Sequence, residues 1–357
     1  MTTYDYLIVG QGLAGTALAW NLCWRNRKVL VVDRPRASSA SRVAAGLVTP
    51  ITGRRLKACW RFHQFWPAAL RFYRRVEAET ACRFFERRAA LRLFVDQAER
   101  DRLLHQSAEL TGHKITTCSP SIDQATLRAP YGGFSMDPAG QLDTISYLNS
   151  SRDHFAAANQ YRQTHLDLRH DIKFQGDWLH VPRLAIRTRG IVFCQGIRGT
   201  TNPWFGHVHF DPSKGELLEL RIPGVSLQTS IHSGIWLAPE SSGRFLLGAT
   251  YDRCVTDAAI TSHSRVELSR QLRSLLRRSF EVVGQRAGVR PAIEGRHPVL
   301  GTHPDHRNLA FFNGLGSKGA LQSPYLAKQL VLALDKAQPL ESEVDFEQRV
   351  AAPGCSC

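Results

Sequence analysis

Hydrophobic and polar positions follow two different periods along this chain, and their order predicts strands alternating with helices. Residues 4–9 form an almost unbroken apolar run that stops at Gly10, the pattern of a strand buried on both faces. Leu13 to Asn26 places Leu18 and Leu22 at i, i+4, which predicts a helix, and Val29 to Val32 is a second buried strand. Strand, glycine turn, helix and strand follow within about 30 residues, which makes a βαβ unit and implies a parallel sheet.

Further along, Trp60–Glu79 and Arg87–Thr111 read as helices, Gly132–Gly140 as turn-rich, and Leu142–Ala158 as a helix. Short strand-like runs occupy 171–194. Leu217–Leu220, Ile231–Ala238 and Phe245–Gly248 then read as strands separated by Gly, Pro and Ser, a meander that suggests an antiparallel sheet. Ser262–Phe280 is predicted helical. Leu309–Phe312, a glycine turn and Tyr325–Leu334 close the chain as strand and helix. The expected fold class is α/β, a parallel-sheet, Rossmann-like nucleotide-binding domain with an inserted α+β domain built on an antiparallel sheet. The expected boundaries are 1–80, 138–212 and 288–345 for the first domain, with 81–137 and 213–287 for the second. No internal repeat or low-complexity linker is seen.

The composition is globular: 357 residues, 43% hydrophobic and 22% charged. No apolar run approaches a membrane span of about 18 residues. The start Met1-Thr2-Thr3-Tyr4-Asp5-Tyr6 lacks the basic flank of a signal peptide, so a cytoplasmic location is expected. The eight cysteines show no Cys-x-x-Cys spacing and are expected to be reduced, with Cys355 and Cys357 in a frayed tail. The net charge of +15 comes mostly from arginines spread along the whole chain. It reads first as solvated helix faces, with a nucleic-acid surface as the alternative. The stripe Trp60, Phe62, Phe65, Trp66, Phe72 and Tyr73 has helical spacing and reads as core. The 14 histidines show no ligand spacing, so no metal site is expected. Neither a Gly-x-Ser-x-Gly elbow nor a Walker lysine is present.

The candidate chemistry begins at Gly10-Gln11-Gly12-Leu13-Ala14-Gly15, a G-x-G-x-x-G that leaves a strand and opens a helix. Gly10 permits the tight turn, Gly12 leaves room for a pyrophosphate, and Gly15 lets helix and strand approach. The helix N-terminus offers N–H groups and partial positive charge to phosphates. Asp33, 18 residues after Gly15 and followed by Arg34, stands where a carboxylate meets ribose hydroxyls. This fingerprint predicts a dinucleotide without distinguishing FAD from NAD.

Several further segments resemble the D-amino-acid oxidase-like superfamily of FAD enzymes, which includes glycine and sarcosine oxidases. Ser38 to Leu47 is similar to the small-residue stretch that passes the flavin, and implies contacts from Ser41, Arg42, Ala44, Ala45, Gly46 and Leu47. Ile191 to Gly196 resembles the strand and glycine (Gly196) that meet the adenosine half. Lys214 to Leu218 is similar to the segment that crosses into the substrate domain. Gly288-Val289-Arg290-Pro291, with Pro298 to Gly301, resembles the late family signature. Asn313 to Gly319 resembles the loop at the flavin pyrimidine, through Gly314, Gly316, Ser317, Lys318 and Gly319. That loop and Ser41–Pro50 are also locally similar to the oxidase domain of bifunctional tRNA wobble-uridine modification enzymes. Their methyltransferase half has no counterpart here.

The resemblance implies FAD and hydride transfer from the carbon beside an amine nitrogen to flavin N5. It makes Arg290 the anchor for a substrate carboxylate, Lys318 a cation near flavin N1–C2=O, and Trp236 an aromatic wall of the substrate site. Where many members carry an acid in the late signature, this chain has Glu294-Gly295-Arg296-His297. No cysteine lies between Cys254 and Cys355, so FAD is expected to be held noncovalently. The expected substrate is a small amine or amino acid. A tRNA base and a non-catalytic flavin-binding role are the alternatives, and the sequence does not set the oligomeric state.

Overall fold

The computed structural model describes residues 1–34, 39–53, 55–112, 116–118, 122–240 and 242–351. Ser38 and the Cys355/Cys357 tail lie outside them.

Five parallel strands form the centre of the first sheet: β1 (Thr2–Val9), β2 (Val29–Asp33), β3 (Tyr161–Gln163), β4 (Ile186–Phe193) and β5 (Leu309–Asn313). Their order is β3-β2-β1-β4-β5. β4 forks, its later half pairing with β5 and its earlier half with the antiparallel strand Trp178–Val181. Val, Leu and Ile fill β2 and the carboxyl-terminal halves of β1 and β4, where both faces are covered, while the edge strand β3 is Tyr-Arg-Gln and largely exposed. On one face lie α1 (Leu13–Cys23), α2 (Phe62–Thr80), α3 (Thr144–Ala157) and α5 (Gly319–Leu334). Trp20, Phe65, Tyr73, Tyr147 and Leu330 pack there. The opposite face buries Leu7, Leu30, Phe193, Phe205 and Phe311. The chain leaves β1 for β2 on one side while β4 adjoins β1 on the other. The carboxyl ends of β1 and β4 therefore open a crevice at the change of direction.

Among the described residues the second sheet has eight strands and is antiparallel except where Ser230–Ser233 runs parallel to Ala90–Leu93. Helix α4 (Ser262–Leu275) packs on it through Leu268, Leu272 and Leu275. This is the expected fold class, a parallel nucleotide-binding sheet joined to a second, mainly antiparallel one.

Three local expectations are corrected. Arg87–Thr111 is not one helix: Ala90–Leu93 is a buried strand, and the helix starts only at Gln97. Ala, Leu and Arg favour helix, but pairing with strands on both sides overrides that preference. Ile231–Ala238 is a hairpin about Gly234, whose φ of +71° suits glycine. The helix expected at Tyr325–Leu334 begins at Gly319. Pro324 inside it has no N–H for the Ala320 carbonyl, and the Tyr73 hydroxyl donates to that carbonyl instead, at 2.7 Å.

Candidate FAD and substrate site

A cavity of about 670 Å³ occupies the crevice and extends to the second sheet. It starts at the glycine turn. Gly10 has φ +111°, and a Cβ on it would fall 2.3 Å from the Cys194 carbonyl oxygen on the neighbouring strand end. A Cβ on Gly15 would lie 1.9 Å from the Gly10 carbonyl oxygen, so this glycine lets α1 rest on the turn. Gly12, Leu13 and Ala14 line the cavity at the start of α1. The first N–H groups of a helix have no partner within it. That of Leu13 donates to the Ser41 hydroxyl at 3.1 Å.

Asp33 and Arg34 line the cavity at the end of β2. Ser41, Ala44, Ala45, Gly46 and Leu47 line its side. This stretch is fastened from behind, with Thr144 donating to the Ala44 carbonyl (3.0 Å) and Leu142 to that of Gly46 (3.0 Å). Gly196 lies at the end of β4, and Gly316, Ser317 and Gly319 at the start of α5. Asn313 knits these together: its amide donates to the Gly196 carbonyl (2.8 Å) and its oxygen accepts from Gly314 N–H (2.9 Å).

Four expected residues stand behind the wall. Gly15 and Gly314 serve the turns, a Cβ on Gly314 falling 2.5 Å from Ile293 Cδ1. The Arg42 guanidinium donates to Asn149 on α3 at 2.9 Å. Lys318 caps α5. Its ammonium acts electrostatically on the Cys59 thiol and on His232, and burial pulls it below the ordinary lysine range.

Two stretches escaped the sequence reading. Thr164 to Arg169 lines the cavity directly after β3, and Ile197 and Arg198 follow Gly196. Neither carries a motif. The first was legible only as the polar loop after the strand that pairs with β2, where Thr164 N–H donates to the Asp33 carbonyl at 2.8 Å.

The far end of the cavity is walled by the second sheet through Gly215, Leu217, Trp236, Ala249, Gly288 and Arg290. Gly215 and Gly288 face each other across paired strands. With no side chains on that rung, Arg290 lies across it, and a Cβ on Gly215 would fall 2.1 Å from Nη2. The guanidinium donates to the Lys214 and Thr250 carbonyls at 3.3 Å each. No carboxylate of the described residues pairs with it. Burial lowers its pKa, so the cation stands partly desolvated with donors to spare. The Trp236 ring covers Gly248, where a Cβ would be 2.3 Å from Cζ2.

Residues 5–332 match the family described as FAD dependent oxidoreductase. The chain belongs to that family. FAD is its cofactor, and the cavity suits it: small residues and a helix N-terminus at one end, a chamber bounded by an aromatic ring and a cation at the other. The chain is 23% identical over 348 residues to a glycine oxidase of Bacillus licheniformis, covering 90% of each. It superposes on the structure of glycine oxidase from Geobacillus kaustophilus with a TM-score of 0.79 and 20% identity, over 95% of this chain and 96% of that one. For iminodiacetate oxidase from Chelativorans sp. BNC1 the TM-score is 0.78 at 18% identity, over 95% and 98%. No helix among the described residues is long and apolar enough to cross a membrane.

Proposed function

We propose that this FAD-dependent oxidoreductase oxidises the C–N bond of a small amino acid whose carboxylate pairs with Arg290. The observation that carries this is the half-buried guanidinium in the cavity, held by two carbonyls and by no acid of the described residues. A carboxylate satisfies such a planar fork bidentately, and burial strengthens the pair. A bound FAD supplies acceptance of a hydride from the carbon beside nitrogen, leaving an imine that water hydrolyses. The chain's own part is to bind, orient and exclude water. Arg290 fixes the carboxylate, and the Trp236 ring with Leu47 and Leu217 gives an apolar wall. The glycine-rich strand ends hold the cofactor, and Lys318 adds positive charge near the start of α5. Relatives named glycine oxidase and iminodiacetate oxidase support an amino-acid substrate. No specific observation favours a tRNA base over it.

The test is anaerobic reduction of the bound flavin by glycine, sarcosine, iminodiacetate, other amino acids and amines without a carboxylate. Carboxylate-bearing amines should bleach the flavin. Arg290→Ala should lower kcat/KM at least about 30-fold, the consequence of losing about 2–5 kcal/mol, with Arg290→Lys recovering part. Equal reduction by amines lacking a carboxylate would refute the proposal.

A further inference from the structure

The strand Phe245–Gly248 leads into residues 249–261, which run to Thr261, the N-cap of α4. Two buried residues of the strand Ser213–Arg221 hold this segment. Lys214 exchanges backbone hydrogen bonds with Asp252 at 2.7 and 3.0 Å, and its ammonium meets the Asp257 carboxylate at 3.0 Å. Glu216 accepts from the N–H and the hydroxyl of Thr261, each at 2.8 Å. In between, residues 251–254 and 256–260 are exposed, yet Thr256 and Ala258 line the cavity. The segment is therefore a wall one chain thick between cavity and solvent.

Its first residues meet Arg290. The Thr250 carbonyl accepts from Nη2, and the Tyr251 ring centre lies 5.4 Å from Cζ. Tyr251 is 60% exposed, and its ring lies beneath a second guanidinium, that of Arg253, at 5.7 Å. The two hydrogen bonds to Arg290 are 3.3 Å, longer than the usual N–H···O distance of about 2.9–3.0 Å, and fix its plane weakly. An acidic partner would fix it firmly but neutralise the charge and consume donors. An aromatic face restrains a guanidinium and leaves both its charge and its in-plane N–H groups available.

We infer that Tyr251 is the positioning residue of the carboxylate anchor, its ring setting the plane in which Arg290 offers its fork. This rests on the assignment of Arg290 to a substrate carboxylate. Acetate serves as an unreactive probe, titrated against the flavin absorbance of wild-type, Tyr251→Phe and Tyr251→Ala holoenzyme, alongside kinetics with the best amino acid. Tyr251→Ala should weaken acetate and raise KM about tenfold, equivalent to about 1.4 kcal/mol, leaving FAD content and kcat nearly unchanged. Tyr251→Phe, which keeps the ring, should stay close to wild type. The inference is overturned if Tyr251→Ala binds acetate as wild type does, if Tyr251→Phe falls as far as Tyr251→Ala, or if kcat drops with acetate affinity intact. Acetate failing to bind the wild type would instead overturn the carboxylate assignment beneath it.

Discussion

Replacing Gly215 by alanine adds one methyl group to the strand beneath Arg290. The backbone permits it, since Gly215 does not have the positive φ that demands glycine. The new Cβ would lie 2.1 Å from Nη2, 2.4 Å from Cζ and 2.5 Å from Nη1, where ordinary contact begins at 3.4 Å. All three atoms end a flexible side chain, so the guanidinium yields and the fold survives. The fork must shift by about 1 Å, a misplacement that can cost about a hundredfold at a reacting site. Bonds to charged groups are worth about 1.5–3 kcal/mol, so kcat/KM should fall roughly 10- to 150-fold. The assay is steady-state kinetics with the best amino acid, alongside FAD content and the thermal midpoint, both expected near wild type. Gly288→Ala, on the same rung, is the control: its Cβ meets Ala40 and Val43 at 3.3 Å, so it should act on FAD retention instead. A folded, FAD-loaded Gly215→Ala enzyme with unaltered kcat/KM would refute the anchor geometry.

Acid should release intact FAD from the wild type, whereas Gly12→Val, whose Cβ would lie 2.9 Å from the Ser41 hydroxyl and fill the turn, should be purified largely without FAD; normal flavin absorbance in that variant would place the cofactor elsewhere. Burial, with Arg92 and Lys318 nearby, holds the His232 imidazole down at about 3, from an ordinary 6.5. The unfolded chain then binds a proton that the folded one refuses, so His232 supports stability above about pH 6.5, and that support fades as pH falls toward about 3. Urea midpoints at about pH 4 and about pH 7 should differ less in His232→Gln than in the wild type; an equal difference would remove His232 from the acid response.

The parallel core was legible because its signals are local. A run of apolar residues, the glycines that follow it and Asp33 lie within one stretch of sequence, and each has a steric or electrostatic reason of its own. The cavity wall at Thr164–Arg169 was not legible, because its place depends on β3 pairing with β2 across more than a hundred residues. The strand Ala90–Leu93 was hidden for a similar reason, its helix-favouring residues being overruled by partners at 133–136 and 230–232. Arg290 stood out in the sequence, but the bare rung beneath it did not, since Gly215 and Gly288 become neighbours only when their strands pair.

Asn313 has a consequence for how the cofactor is loaded. By joining the Gly196 turn to the Gly314 loop, with Gly199 packed against its amide, it closes one seam of the cradle using protein bonds alone. That seam needs no ligand to form, so the apoprotein should already possess it. The stability that FAD confers by mass action should therefore be felt less at this seam than along the opposite lip of the cavity, at 164–169. Amide exchange should then slow on adding FAD along that lip, while Gly196 and Gly314 stay as they are, a cradle preformed on one side and completed by its cofactor on the other.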